Sequence, residues 1–368
     1  GGRHKMGKYN FDEVIDRHGT DCLKYDFGMK RKGRDDLLPL WVADMDFPTA
    51  PGIQKSLSDA VAHGIYGYSE GKDDYFQAAA GWYEKHFGWK VEKEWLIKTP
   101  GVVFALAMAV KAYTKEGDAV LLQQPVYYPF SEVITDNHRR LINSPLQQID
   151  GHYEINFEEF EQKIVEENVK LFLMCSPHNP VGRVWKEWEL RKIGDICLKH
   201  NVLVVSDEIH SDFTYGENIH HVFASLDEKY AAITTTCTAP SKTFNIAGLQ
   251  ISNIWISNPE LRARFRAEVT AAGYSQVNLM GLVACQAAYE TGEEWLKELK
   301  IYLEGNLDYV RTFLKENLPE IKLTEPEGTY LLWLDFKSLG MKEEQLKDLV
   351  ENLSLIHISE PTRRTPIS

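Results

Sequence analysis

The sequence predicts an α/β protein in which a mainly parallel central sheet forms a large domain and a smaller α+β domain follows it. Two observations carry this. Short aliphatic runs at Ala119–Leu122, Leu171–Met174, Val202–Ser206, Ala232–Thr236 and Ile251–Ile256 alternate with amphipathic stretches at Phe104–Tyr113, Asn156–Asn168 and Lys186–His200. Strands separated by helices imply parallel pairing, and a near-continuous apolar strand such as Leu203-Val204-Val205 suits a sheet covered on both faces. The second observation is a change of pattern after about Thr291. Glu293–Leu318 reads as one long amphipathic helix, Ile321–Leu323 and Tyr330–Asp335 alternate as strands, and a further helix runs from Met341 to about Asn352.

The expected organisation is therefore an N-terminal segment, residues 6–48, packing on the small domain. A large domain over 49–290 and an incomplete small domain over 291–352 follow it. Residues 353–368 differ from the rest. They have no amphipathic period and match one reading frame of a sequencing-library adapter, Leu-Ser-Leu-Ile-His-Ile-Ser-Glu-Pro-Thr-Arg, so they are read as foreign. Met6 reads as the natural start, with the five residues before it a cloning remnant.

Composition excludes several classes. The 368 residues carry a net charge of −13, which argues against generic nucleic-acid binding. No run approaches the roughly 18 apolar residues of a membrane span, and no signal-peptide pattern opens the chain. The five cysteines, Cys22, Cys175, Cys197, Cys237 and Cys285, are scattered without a C-x-x-C pair. They read as reduced thiols of a cytoplasmic protein, and no metal site is expected.

In a parallel α/β sheet, ligands bind beyond the carboxyl ends of the strands. The residues that follow the expected strands are informative. Asn179 falls in a Pro-flanked loop after Leu171–Met174, Asp207 directly follows Val202–Ser206, and Lys242 sits in the loop after Ala232–Thr236. Upstream, Thr99-Pro-Gly-Val-Val103 enters a helix N-terminus, a geometry that suits a phosphate. A lysine, a buried acid and a phosphate cradle form a coherent set for pyridoxal phosphate. The amine forms a Schiff base and the acid keeps the ring nitrogen protonated.

Three motifs sharpen this: Ser176-Pro-His-Asn-Pro-Val-Gly182, Ser206-Asp-Glu-Ile-His-Ser-Asp212 and Ala239-Pro-Ser-Lys-Thr-Phe-Asn-Ile-Ala-Gly-Leu-Gln250. Together with Leu40-Trp-Val-Ala-Asp-Met-Asp-Phe-Pro48 and Pro326-Glu-Gly-Thr-Tyr-Leu-Leu-Trp-Leu-Asp335, they resemble the fold-type I pyridoxal-phosphate enzymes of the aminotransferase class I/II superfamily. Within these the chain is most similar to the MalY/PatB-type cystathionine β-lyases, from about Lys8 to about Asn352.

The resemblance implies roles. Lys242 would hold the cofactor and later remove the substrate's Cα proton. Asp207 would pair with the pyridinium nitrogen, and Asn179 with the O3′ oxygen, or with the substrate carboxylate as well. Tyr127 would stack on the ring, with Tyr128 its alternative. His210 stands where related aminotransferases carry a tyrosine to O3′. Gly101, Val102 and Val103 would offer amides to the phosphate, with Ser241 or Thr238 adding a hydroxyl. Tyr66, or Tyr68, would reach the neighbouring subunit's phosphate in a homodimer. The implied reaction is α,β-elimination of L-cystathionine or a related cysteine S-conjugate to thiol, pyruvate and ammonia. An aminotransferase and a catalytically impaired regulatory protein are the alternatives. Members of the family usually continue for several tens of residues beyond the position of Asn352. That stretch includes an arginine expected to clamp the substrate carboxylate, so cofactor binding with poor turnover is the expectation for this chain.

Overall fold

The computed structural model describes residues 7–354 and 356–358. Its centre is a seven-stranded sheet. The strands lie in the order Leu96–Thr99, Ser252–Trp255, Thr234–Thr238, Leu203–Asp207, Val169–Cys175, Ala119–Leu122, Arg140–Asn143. Pairing is parallel from Thr234–Thr238 through to Arg140–Asn143. Ser252–Trp255 is antiparallel to both of its neighbours.

Alternation along Val169–Cys175 shows how the sheet is covered. Leu171, Leu173 and Cys175 pack into a core with the helices Val102–Tyr113 and Pro259–Ala271. Phe172 and Met174 point the other way, toward Phe157–Glu166 and Glu187–Lys199. Phe172 is fully buried, with its ring edge-on to Phe160 at 5.1 Å between centroids. Phe172→Ala is expected to cost about 3–5 kcal/mol, read from the midpoint of urea unfolding.

The sequence-predicted helices appear with small boundary changes. Asn156 lies outside its helix as the N-cap, its side chain accepting from Glu159 N at 3.1 Å. One strand expectation shifts, and two features were not foreseen. The run Ala232–Thr236 forms a strand at Thr234–Thr238 instead, because Ala232 still closes a helical turn onto the Glu228 carbonyl. The strand itself is made of threonines and a cysteine, all buried, so the aliphatic signal pointed too early. Ser252–Trp255 runs against the sheet because only a short turn at Ala247–Leu249 precedes it, with no crossover helix to bring the chain back in parallel. The edge strands Leu96–Thr99 and Arg140–Asn143 were not anticipated; each carries polar residues and is too short to stand out.

Beyond the sheet, Glu293–Asn317 is a 25-residue helix. Lys322–Thr324 and Trp333–Asp335 pair antiparallel. Glu343–Asp348 is helical and continues as a wider turn over Leu349–Leu353. The N-terminal segment reaches this region: Lys8 and Tyr9 donate their amides to the Glu298 carboxylate, each at 3.0 Å, and Tyr302 donates to Asp12 at 2.7 Å. Leu38–Leu40 pairs in parallel with Ile356–Ile358, inside the stretch read as foreign. The rest of that stretch from residue 359, residue 355, and residues 1–6 with Met6 lie outside the described residues. No helix among the described residues is long and apolar enough to cross a membrane.

Candidate active site

Asp207 ends the middle strand of the seven-stranded sheet, in register with Cys175 on one side and Cys237 on the other. That placement buries its carboxylate at the carboxyl edge of the sheet. Oδ1 accepts the Ile209 amide at 3.2 Å. Burial, with some help from the Glu208 carboxylate, pushes the Asp207 pKa up to about 7, against the Ile209 bond and the Lys242 charge.

The next strand, Thr234–Thr238, leads into the Lys242 loop. Lys242 faces the same cavity as Asp207. Burial pulls its pKa below the usual lysine value, while the charges of Asp44 and Asp207 act in the opposite direction. His210, three residues past Asp207, is buried beside them. Burial, and then the Lys242 charge, push its pKa down to about 3, so the imidazole is neutral. Its Nδ1 has no partner among the described residues.

On the other flank, Val169–Cys175 opens into the Asn179 loop. The Asn179 amide donates to Cys175 Sγ at 3.4 Å, and its carbonyl accepts from Tyr127 N at 3.1 Å. His178 Nε2 lies 2.7 Å from the Pro125 carbonyl. These bonds tie the Tyr127 and Asn179 loops together, so both side chains face one space. Burial raises the Tyr127 hydroxyl's pKa. Tyr128 turns outward and is half-exposed, which separates the two adjacent tyrosines.

The helix Val102–Tyr113 begins at the rim of this space. The Ala105 amide makes the first bond back, to Gly101 O at 3.2 Å, and no side chain caps the turn. The amides of Val102, Val103 and Phe104 therefore open on the cavity, at the positive end of the helix.

The resulting cavity has a volume of about 380 Å³. Gly101, Val102, Val103, Tyr127, Asn179, Asp207, His210, Ser241 and Lys242 all line it. Two expected residues are elsewhere. The Thr238 hydroxyl is spent inside the sheet, donating to Asn253 O at 2.7 Å and accepting from the Trp255 indole at 3.1 Å, so it offers nothing to a phosphate. Tyr66 is exposed on an extended segment, its hydroxyl 3.4 Å from Val61 O, and does not border this chain's cavity. The sequence reading missed Ala43, Phe104, Cys175, Ile209 and Gln250, which also line it. Gln250 closes the Lys242 motif, and that motif's length was the available signal.

These groups fit pyridoxal phosphate. An amine of lowered basicity suits an aldehyde, and a buried carboxylate that forms no ion pair among the described residues suits a pyridinium. The unpartnered His210 nitrogen and the uncapped helix end complete a site with one cationic and two anionic regions to satisfy.

Fold and cavity together describe a pyridoxal-phosphate enzyme of fold-type I, and the chain belongs to the aminotransferase class I and II family, whose model matches residues 36–365. Within that family it belongs with the cystathionine β-lyases of the PatB and MalY type. Cystathionine β-lyase PatB of Bacillus subtilis (strain 168) is 42% identical over 97% of this chain and 92% of its own length. Cystalysin from Treponema denticola, whose structure contains pyridoxal 5′-phosphate, superposes with a TM-score of 0.92 at 38% identity, over 96% of this chain and 90% of that one. A PLP-bound protein of Clostridium difficile 630, provisionally described as an aminotransferase, gives 0.93 at 43% identity over 95% and 90%.

Proposed function

We propose that this cavity binds pyridoxal 5′-phosphate and that the chain is a carbon–sulfur β-lyase. It acts on L-cystathionine or related cysteine S-conjugates and yields thiol, pyruvate and ammonia. The observation that carries the reading is the meeting of Lys242 and Asp207 in one cavity, opposite the open N-terminus of the Val102–Tyr113 helix. The name of the similar Bacillus subtilis protein, a cystathionine β-lyase, supports elimination over other chemistries of the fold.

When bound, the cofactor supplies a sink for the electrons left on the substrate's Cα. The chain's residues do the rest. Lys242 Nζ, its basicity lowered by burial, accepts the Cα proton and holds it for the departing sulfur. Asp207 would hold a proton on the ring nitrogen. Asn179 and the neutral His210 would hold the ring's oxygen, and Tyr127 would bear on the ring. The amides of residues 101–103 and the Ser241 hydroxyl would hold the phosphate.

A homodimer is part of this proposal. Val61, Ile65, Tyr66 and Tyr68 form an exposed apolar stretch on one segment, and a second copy would cover it and bring Tyr66 to the other cavity. The five buried free cysteines support a reducing, cytoplasmic location.

The test is incubation of the cofactor-loaded protein with L-cystathionine. Pyruvate and free thiol in equal amounts, without any added amino acceptor, are expected. A keto acid formed only when an acceptor is supplied would replace this reading with transamination.

A further inference from the structure

Ala43 lines the cavity although nothing in the sequence around it carries catalytic chemistry. Three groups of contacts hold it there. Asn245, three residues past Lys242, grips the main chain just beyond Ala43. Its Oδ1 accepts Met45 N at 2.9 Å, and its Nδ2 donates to Met45 O at 2.8 Å and to Phe47 O at 2.9 Å. One side-chain amide thus does the work of a neighbouring strand. The residue sits at φ 56°, in the left-handed region that asparagine tolerates better than most residues. Thr49 adds a bond to Phe244 O at 2.6 Å.

From the second lobe, the Tyr330 hydroxyl donates to Ala43 O at 2.7 Å. The same ring lies edge-on to His210 and Phe213, at 5.7 Å and 4.9 Å between centroids. On the outer side, Lys24 Nζ donates to Asp44 O at 3.0 Å, and Arg17 bridges Asp44 and Asp46 at 2.5 Å and 2.8 Å.

We propose that Asn245 is a positioning residue for the substrate: by fastening residues 45–47 to the Lys242 loop, it sets Ala43 as the wall against which a bound amino acid is placed. This rests on the lyase reading above. The clamp and the reactive amine share one compact turn, closed by Phe244 N on Pro240 O and Ile246 N on Ser241 O, both at 3.0 Å. Lys242 and the wall therefore keep a fixed spacing. Asp44, next to Ala43, is close enough for its charge to favour the protonated form of the Lys242 amine, so the segment also contributes to the field around that amine.

Asn245→Gly separates the clamp from the backbone requirement, because glycine keeps the left-handed turn and deletes all three bonds. In the cofactor-loaded variant, KM for L-cystathionine should rise about tenfold, with kcat within about threefold and cofactor affinity within about twofold of the parent. In the cofactor-free variant, exchange of the Met45 amide hydrogen should quicken by about tenfold or more. Parent-like KM and parent-like exchange would overturn the proposal, leaving Asn245 a turn residue only. Should the glycine variant not fold, Asn245→Asp decides. It tolerates the same turn and keeps the Met45 N–H bond, but sets a carboxylate against two carbonyls, so an intermediate rise in KM is expected and an unchanged KM overturns the clamp. A parent protein that releases no thiol would defeat the lyase reading instead, and Met45 exchange would still decide whether Asn245 holds the wall.

Discussion

Lys242→Ala is expected to lower thiol release by at least about 10³-fold and to abolish the visible absorbance of lysine-bound cofactor. In the proposed mechanism two functions disappear with one amine. The covalent anchor would be lost, and so would the group that takes the Cα proton. No other amine lines the cavity among the described residues, so no neighbour can substitute. The loss should be chemical and not structural. Among the described residues the Lys242 side chain makes no hydrogen bond, whereas its neighbour Thr243 is anchored to Asp212 at 2.8 Å and keeps the loop in place. A parent-like unfolding midpoint combined with absent turnover is therefore the expected result. Parent-like absorbance would overturn the assignment of Lys242.

Asp207→Asn should reduce turnover by about 10²–10³-fold, because the charge that stabilises a protonated ring nitrogen is gone. The same substitution should stabilise the protein when no cofactor is present. The Asp207 pKa stands at about 7 in the folded chain, above its ordinary value of 3.8. Between those values the folded state binds more protons than the unfolded state, so stability falls as pH rises across that window. Asparagine carries no charge and escapes this loss. In urea unfolding of the cofactor-free proteins, the gain from Asp207→Asn should be larger near pH 8 than near pH 5. An equal gain at both pH values would mean that the Asp207 charge is not strained by burial.

Much of the site was legible because its chemistry follows strand ends. Asn179, Asp207 and Lys242 each come just after an aliphatic run, and the parallel sheet delivers all three to one edge. Thr238 was misread because it lies within a strand and not after one. Once the strand is placed two residues later, its hydroxyl belongs to the ladder with Asn253 and Trp255. The antiparallel course of Ser252–Trp255 was hidden for a related reason: an apolar run marks a strand but carries no direction. Tyr66 lies on an exposed segment away from this chain's cavity, and only the proposed homodimer would bring it to a site. Ala43 was invisible because its place is set by Asn245 and Tyr330, far along the chain, through main-chain bonds that leave no local pattern.

The Met45–Asn245 contact joins residues 200 positions apart. During synthesis at roughly 5–20 residues per second, the N-terminal segment therefore waits about 10–40 s for its clamp to leave the ribosome. It waits longer still for Glu298 and Tyr330. Throughout that interval Phe11 and Phe47 have no Trp295 or Tyr302 to pack against. The reaction chamber is thus closed by a segment made long before its partners and seated only after them. The nascent polypeptide must keep those aromatic rings out of unproductive contacts until its own later half arrives.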